Sequence, residues 1–196
     1  MRVWFGLGYL IARGLAALRV PAAVVGWLGL LPAVAVPLTA GTDPTGLWAA
    51  AGLTLLAAFT VVLDRTLVVI QGLPTPRAAI RATVISRLGE LAGLVGFWVA
   101  GVPGPLVVVC GLMSWLYELI RQEAVAAGMS QLSALTLAER PARLSVLVTG
   151  FGLAGVVGLA EPGAIGGLLA MALVGWLLFA VFGLGQLVGA VRKTLR

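Results

Sequence analysis

Gly163–Val191 reads GAIGGLLAMALVGWLLFAVFGLGQLVGAV, 29 residues without one charged side chain. A helix needs about 20 mostly apolar residues to cross a bilayer. Irregular backbone cannot replace it there, because its N–H and C=O groups would go unbonded. Five further stretches match or approach the pattern: about Val20–Ala40, Gly46–Leu63, Ala78–Gly101, Pro105–Ile120 and Ala142–Ala160. The whole chain of 196 residues agrees, being 61% hydrophobic and only 10% charged, with a mean hydropathy of +1.11. Soluble domains carry about a quarter charged residues, and a chain of this size cannot hide so much apolar surface from water. The expected fold is an all-α integral membrane protein with six transmembrane helices and an N-terminal amphipathic surface helix.

The breaks between spans are turn-like: Gly41-Thr42-Asp43-Pro44, Gly101-Val102-Pro103-Gly104 and Glu161-Pro162-Gly163. None of these holds a cation. All thirteen lie in the other segments: Arg2, Arg13 and Arg19; Arg65, Arg77, Arg81 and Arg87; Arg121, Arg140 and Arg143; Arg192, Lys193 and Arg196. With six spans and both termini cytoplasmic, every cation falls on the inner side, as the positive-inside bias requires. An odd number of spans would spoil this partition. The expected location is the bacterial inner (cytoplasmic) membrane, as a multi-pass protein.

Residues 1–19 mix Trp4, Phe5, Tyr9 and Leu10 with three arginines, and Arg13 interrupts any signal-peptide core. They read as a juxtamembrane amphipathic helix, and residues 20–196 as one membrane domain. The chain has no histidine, which excludes Ser-His-Asp and Cys-His nucleophile pairs and His-ligated zinc. Its lone Cys110 builds neither an intrachain disulfide nor a thiolate cluster. A net charge of +6 without a solvated basic tract points to anionic lipid and away from nucleic acid. Two small-residue rows, Gly150/Ala154/Gly158 and Gly185/Gly189, read as packing seams inside the bundle. A transporter reading has only the midspan Pro32 and Pro37 behind it, without the matched broken helices such proteins show.

Ionisable groups at membrane depth are costly and mark a cavity or a partner. Here they gather where the second, third and fourth spans approach the cytoplasmic boundary: Asp64-Arg65, then Arg77, Arg81, Arg87 and Glu90, then Glu118, Arg121 and Glu123, leading to Glu139, Arg140 and Arg143. One shared polar pocket is expected. Arg87/Glu90 and Glu118/Arg121, three apart, are expected to pair on their own helices. Cations outnumber acids in this set, which implies an anion site for a phosphate or lipid headgroup. The candidate binding residues are Arg81, Arg87, Arg121, Arg140 and Arg143.

A surface helix, six spans and a polar connection between the second and third resemble the CDP-alcohol phosphatidyltransferase family. The stretch Tyr117-Glu-Leu-Ile-Arg121, Gly128-Met129 and Thr136-Leu-Ala-Glu139-Arg140-Pro141-Ala-Arg143 is similar to a pattern of actinobacterial-type members. The resemblance implies attack of a hydroxyl on the pyrophosphate of a CDP-linked lipid, releasing CMP. The family signature is Asp-Gly-x2-Ala-Arg-x8-Gly-x3-Asp-x3-Asp, commonly with an Asp three residues earlier. Its carboxylates hold two divalent cations, and its last Asp is the base. Hard cations want several oxygen ligands, so the chemistry is coherent.

Laid on this sequence without gaps, the early Asp falls on Asp64 and the next on Leu67. Gly, Ala and Arg become Val68, Gln71 and Gly72; the middle Gly becomes Arg81; and the last two Asp become Ile85 and Gly89. Only Asp64 survives, and Glu90 lies about 100° round the helix from the final position. The expectation is a protein with the family fold, no catalytic residue beyond the remnant Asp64, no metal site and no cofactor. It would bind an anionic headgroup as a homodimer, or as a heterodimer with a related active transferase. The alternative is a divergent but active transferase using Mg²⁺ or Mn²⁺ with Glu90, Glu118 and Glu123.

Overall fold

The computed structural model describes residues 2–41, 43–72, 74–128 and 140–194, with side chains for 8–41, 43–72, 74–128 and 142–192. The helices are α1 (Arg2–Ala17), α2 (Ala22–Leu28), α3 (Leu30–Ala40), α4 (Pro44–Ile70), α5 (Pro76–Val99), α6 (Gly104–Ala126), α7 (Arg140–Gly158) and α8 (Ile165–Thr194). Local chemistry sets several of the starts. The Asp43 carboxylate accepts from the Gly46 N–H ahead of Pro44, and the Thr75 hydroxyl accepts from the Ala78 N–H ahead of Pro76. Both are side-chain caps followed by proline at the first helical position.

Taken as one span, Ala22–Ala40 joins α4, α5, α6 and Pro162–Arg192 as five segments long and apolar enough to cross a membrane. Ala142–Gly158 is a shorter apolar helix. Trp27, Leu31, Leu38, Leu112, Trp115, Met171 and Phe182 stand exposed on the outer surface. This apolar exterior belongs to a multi-pass membrane protein whose solvent is lipid.

The first expected span is interrupted, with α2 and α3 meeting at Gly29. Pro32 has no N–H to donate to the Leu28 carbonyl, which opens the ladder at this point. The second span runs past Leu63 to Ile70, so Asp64 and Arg65 lie inside α4, and the fourth continues through Arg121 to Ala126. The α1 helix packs along α4, with Ala12 and Leu15 among Ala22, Val25, Leu63 and Leu67. It ends with Arg19 N–H donating to the Ala16 carbonyl and Val20 N–H to the Leu15 carbonyl, a Schellman closure. Arg19 holds the left-handed φ of +55° that such an end requires. A side chain there costs about 1–2 kcal/mol relative to glycine.

Away from the buried charges the core is largely apolar. Leu47, Phe97, Phe151, Leu169, Leu173 and Trp176 are buried together, and Phe97 meets Phe151 edge to face at 4.6 Å between ring centres. The two glycine rows part company here. Gly150 and Gly158 are internal seams, and a Cβ at Gly150 would lie 2.7 Å from Phe97 Cζ. A Cβ at Gly185 or Gly189 would meet nothing within 4 Å among the described atoms, so that row is not an internal seam.

Candidate functional site

The alternating course of α4, α5, α6 and α7 brings the buried charges to one end of the bundle, where they form two groups. In the first, Arg81 Nη2 on α5 donates to Asp64 Oδ1 on α4 at 2.6 Å. Asp64 is 1% exposed. Its Oδ2 and the Arg81 Nε are buried without partners, so the pair is made through one tooth of a possible fork. Ile85 and α2 close over the carboxylate. A Cβ at Gly26 would lie 3.2 Å from Asp64 Cγ and 3.1 Å from Ile85 Cδ1, so a side chain there would push one of them back by a few tenths of an ångström. Leu67, one turn further along α4, is fully buried.

The second group ties three helices. Arg87 donates to Glu90 Oε2 at 2.7 Å and reaches Glu118 Oε2 on α6 at 2.9 Å. Arg121 pairs with Glu118 Oε1 at 2.5 Å. Arg143 on α7, its side chain 5% exposed, lies 3.5 Å from Glu90 Oε2 and 4.0 Å from Glu118 Oε2. It also donates to the Ser114 carbonyl at 3.5 Å. The Ser114 hydroxyl accepts from Trp176 Nε1 at 2.9 Å, which anchors α8 to the group. Three guanidinium ions thus face two carboxylates.

The two expected i,i+3 pairs are both present, but the single shared pocket is not. Arg81 and Arg87 are six residues apart, about 240° round a helix, and leave α5 on different sides. Nor does the excess of cations leave these arginines unpaired. Arg81, Arg87, Arg121 and Arg143 each hold a carboxylate, because neighbouring helices supply Asp64, Glu90 and Glu118. Arg65 and Arg77 are exposed. Arg140 opens α7, but its side chain, like Glu139 and the Thr136–Pro141 motif, lies outside the described side chains.

The cavity beside Glu90 and Ser86 has about 30 Å³, room for a water or two. Beside Arg81, in contrast, an open groove of about 510 Å³ runs between the α1–α2 link and the α4–α5 link. Arg19, Gln71 and Thr75 stand in its wall, with Gln71 Nε2 donating to the Val20 carbonyl at 2.7 Å. Arg19 was not among the expected site residues; its signal lies in backbone conformation, which the sequence does not display.

No protein-family model and no curated protein matches the chain. Its structure does have counterparts. Over 92% of its length it matches 92% of a Mycobacterium tuberculosis phosphatidylinositol phosphate synthase with CDP-DAG bound, at TM-score 0.70 and 26% identity. The chain thus has the fold of a CDP-alcohol phosphatidyltransferase. A structure of the same synthase in complex with manganese and citrate matches 94% of the chain and 88% of its own length, at TM-score 0.71 and 26% identity.

A divalent metal of the kind present in that relative does not fit the residues here. Asp64 Oδ1 is held by a guanidinium, and Leu67, Ile85 and Gly89 bring no side-chain oxygen. Among the described residues no three of His, Cys, Asp or Glu come together as a metal cluster. Arg81 beside Asp64 also adds a positive charge that repels a dication.

Proposed function

We propose that this chain is a non-catalytic CDP-alcohol phosphatidyltransferase-like protein that binds a phosphate-bearing, anionic lipid headgroup without a metal. It acts in phospholipid biosynthesis at the inner membrane, either as a homodimer or beside an active relative. Six spans with both termini cytoplasmic, a 1–19 surface helix and a single 20–196 membrane domain fit the distribution of cations. The observation that carries the reading is the Arg81–Asp64 ion pair, which occupies the one carboxylate left from the family signature. A guanidinium supplies fixed positive charge and several donors to a phosphate. Arg81 is the leading headgroup residue, with Arg87, Arg121, Arg140 and Arg143 contributing the positive field around it. The CDP-DAG bound by the mycobacterial relative supports a lipid phosphate as ligand.

The test is CMP release by the purified protein from a CDP-linked lipid, with candidate alcohols and Mg²⁺ or Mn²⁺. The expected result is no CMP above a no-protein control. CMP release that disappears in Asp64→Asn would replace this reading with that of an active, divergent transferase.

A further inference from the structure

We infer that the groove between the α1–α2 and α4–α5 links is a phosphate-ester site, clamped by Arg19 and Arg81, with Asp64 as the positioning residue for Arg81. The inference rests on the headgroup-binding reading above and gives it a place. Both arginines stand in the groove wall with Gln71 and Thr75, and no acid lines it among the described residues. Arg81 spends one N–H of its five on Asp64 and has no other partner among the described residues. That single bond to a buried carboxylate fixes the guanidinium at the groove while leaving donors for a second anion. Arg19 has no ion pair among the described residues, yet it occupies a left-handed position that favours glycine. Arg19 therefore brings a cation to the groove wall from a backbone conformation that favours glycine. Ala16 and Val68 add apolar wall beside the cations, the combination that suits a phosphate carried on a lipid. The volume, about 510 Å³, is that of a small-molecule site.

Arg19→Gly gives a clean probe, because glycine relieves the backbone while deleting the cation. Binding of phosphatidic acid, of diacylglycerol as its phosphate-free counterpart, and of inorganic phosphate is measured on the full-length protein in detergent with EDTA present, alongside melting temperature. The account expects phosphatidic acid to bind at least about tenfold more tightly than diacylglycerol. Arg19→Gly is expected to weaken it about tenfold, with melting temperature equal or higher. Displacement by inorganic phosphate would assign the site to soluble phosphates as well; no displacement would assign it to lipid. Tight phosphatidic acid binding that ignores Arg19→Gly would overturn the groove assignment and leave headgroup binding intact. Loss of binding in EDTA, or none at all, would overturn both.

Discussion

The two ionic groups share one end of the bundle and one chemistry, yet they are built for different work. Glu90, Glu118, Arg87, Arg121 and Arg143 bind to one another across α5, α6 and α7, and the cavities beside Glu90 and Arg143 hold about 30 Å³ and 10 Å³. Asp64 and Arg81 make a single bond beside a groove of about 510 Å³. The first group has turned its charges inward as a girdle. The second keeps donors facing a space large enough for a ligand. Counting charges in the sequence treats the two alike, and only helix rotation separates them.

The girdle is where breakage should cost most. Glu118 meets three arginines, so Glu118→Gln leaves the buried Arg87 and Arg143 sharing the single Glu90 carboxylate. A loss of about 3–5 kcal/mol in unfolding free energy is expected in detergent. A loss below about 1 kcal/mol would mean the group is screened like a surface pair.

At the groove, Asp64→Asn removes one charge-assisted bond from Arg81, whose side chain lines the groove wall. About 1.5–3 kcal/mol is expected. Asp64→Leu combined with Arg81→Met should cost less than either change alone, because no charge is then left unpaired. Additive losses in that double-mutant cycle would show that the two residues do not act together.

The apolar end sharpens the contrast. Gly150→Ala pushes a methyl against Phe97 and should cost about 1–3 kcal/mol. Gly185→Ala meets nothing and should be neutral or stabilising by up to about 1 kcal/mol. Equal losses at both would place a packed partner on the Gly185 face.

Asp43 gives the smallest effect. Its carboxyl is held below the usual range by the Thr45 hydroxyl and then by the Gly46 N–H. With a lowered folded-state pKa, this cap contributes fully above the unfolded value of about 3.9. It fades as pH falls through the lower folded value. Asp43→Ala should therefore lower the melting temperature slightly at pH 7, and the gap from wild type should close in acid.

Much of this was legible in the residues. Apolar runs and cation placement marked the helices, and helical spacing alone put Arg87 on Glu90 and Arg121 on Glu118. The Arg81–Asp64 pair was not legible, because partners 17 residues apart on two helices meet only if both are rotated correctly. Cations do outnumber acids in the girdle, three to two, but which of them meet an acid depends on the same rotation. Neither the break at Gly29 nor the left-handed Arg19 shows in composition, since each depends on backbone geometry set by neighbours.

The central claim is that Asp64 belongs to Arg81 and not to a metal. Manganese binding to the purified protein, followed by electron paramagnetic resonance at neutral pH, tests it most directly. The account predicts that added Mn²⁺ stays free, with the same signal for wild type and Asp64→Asn. A saturable site of one Mn²⁺ or more per chain that vanishes in Asp64→Asn would contradict it.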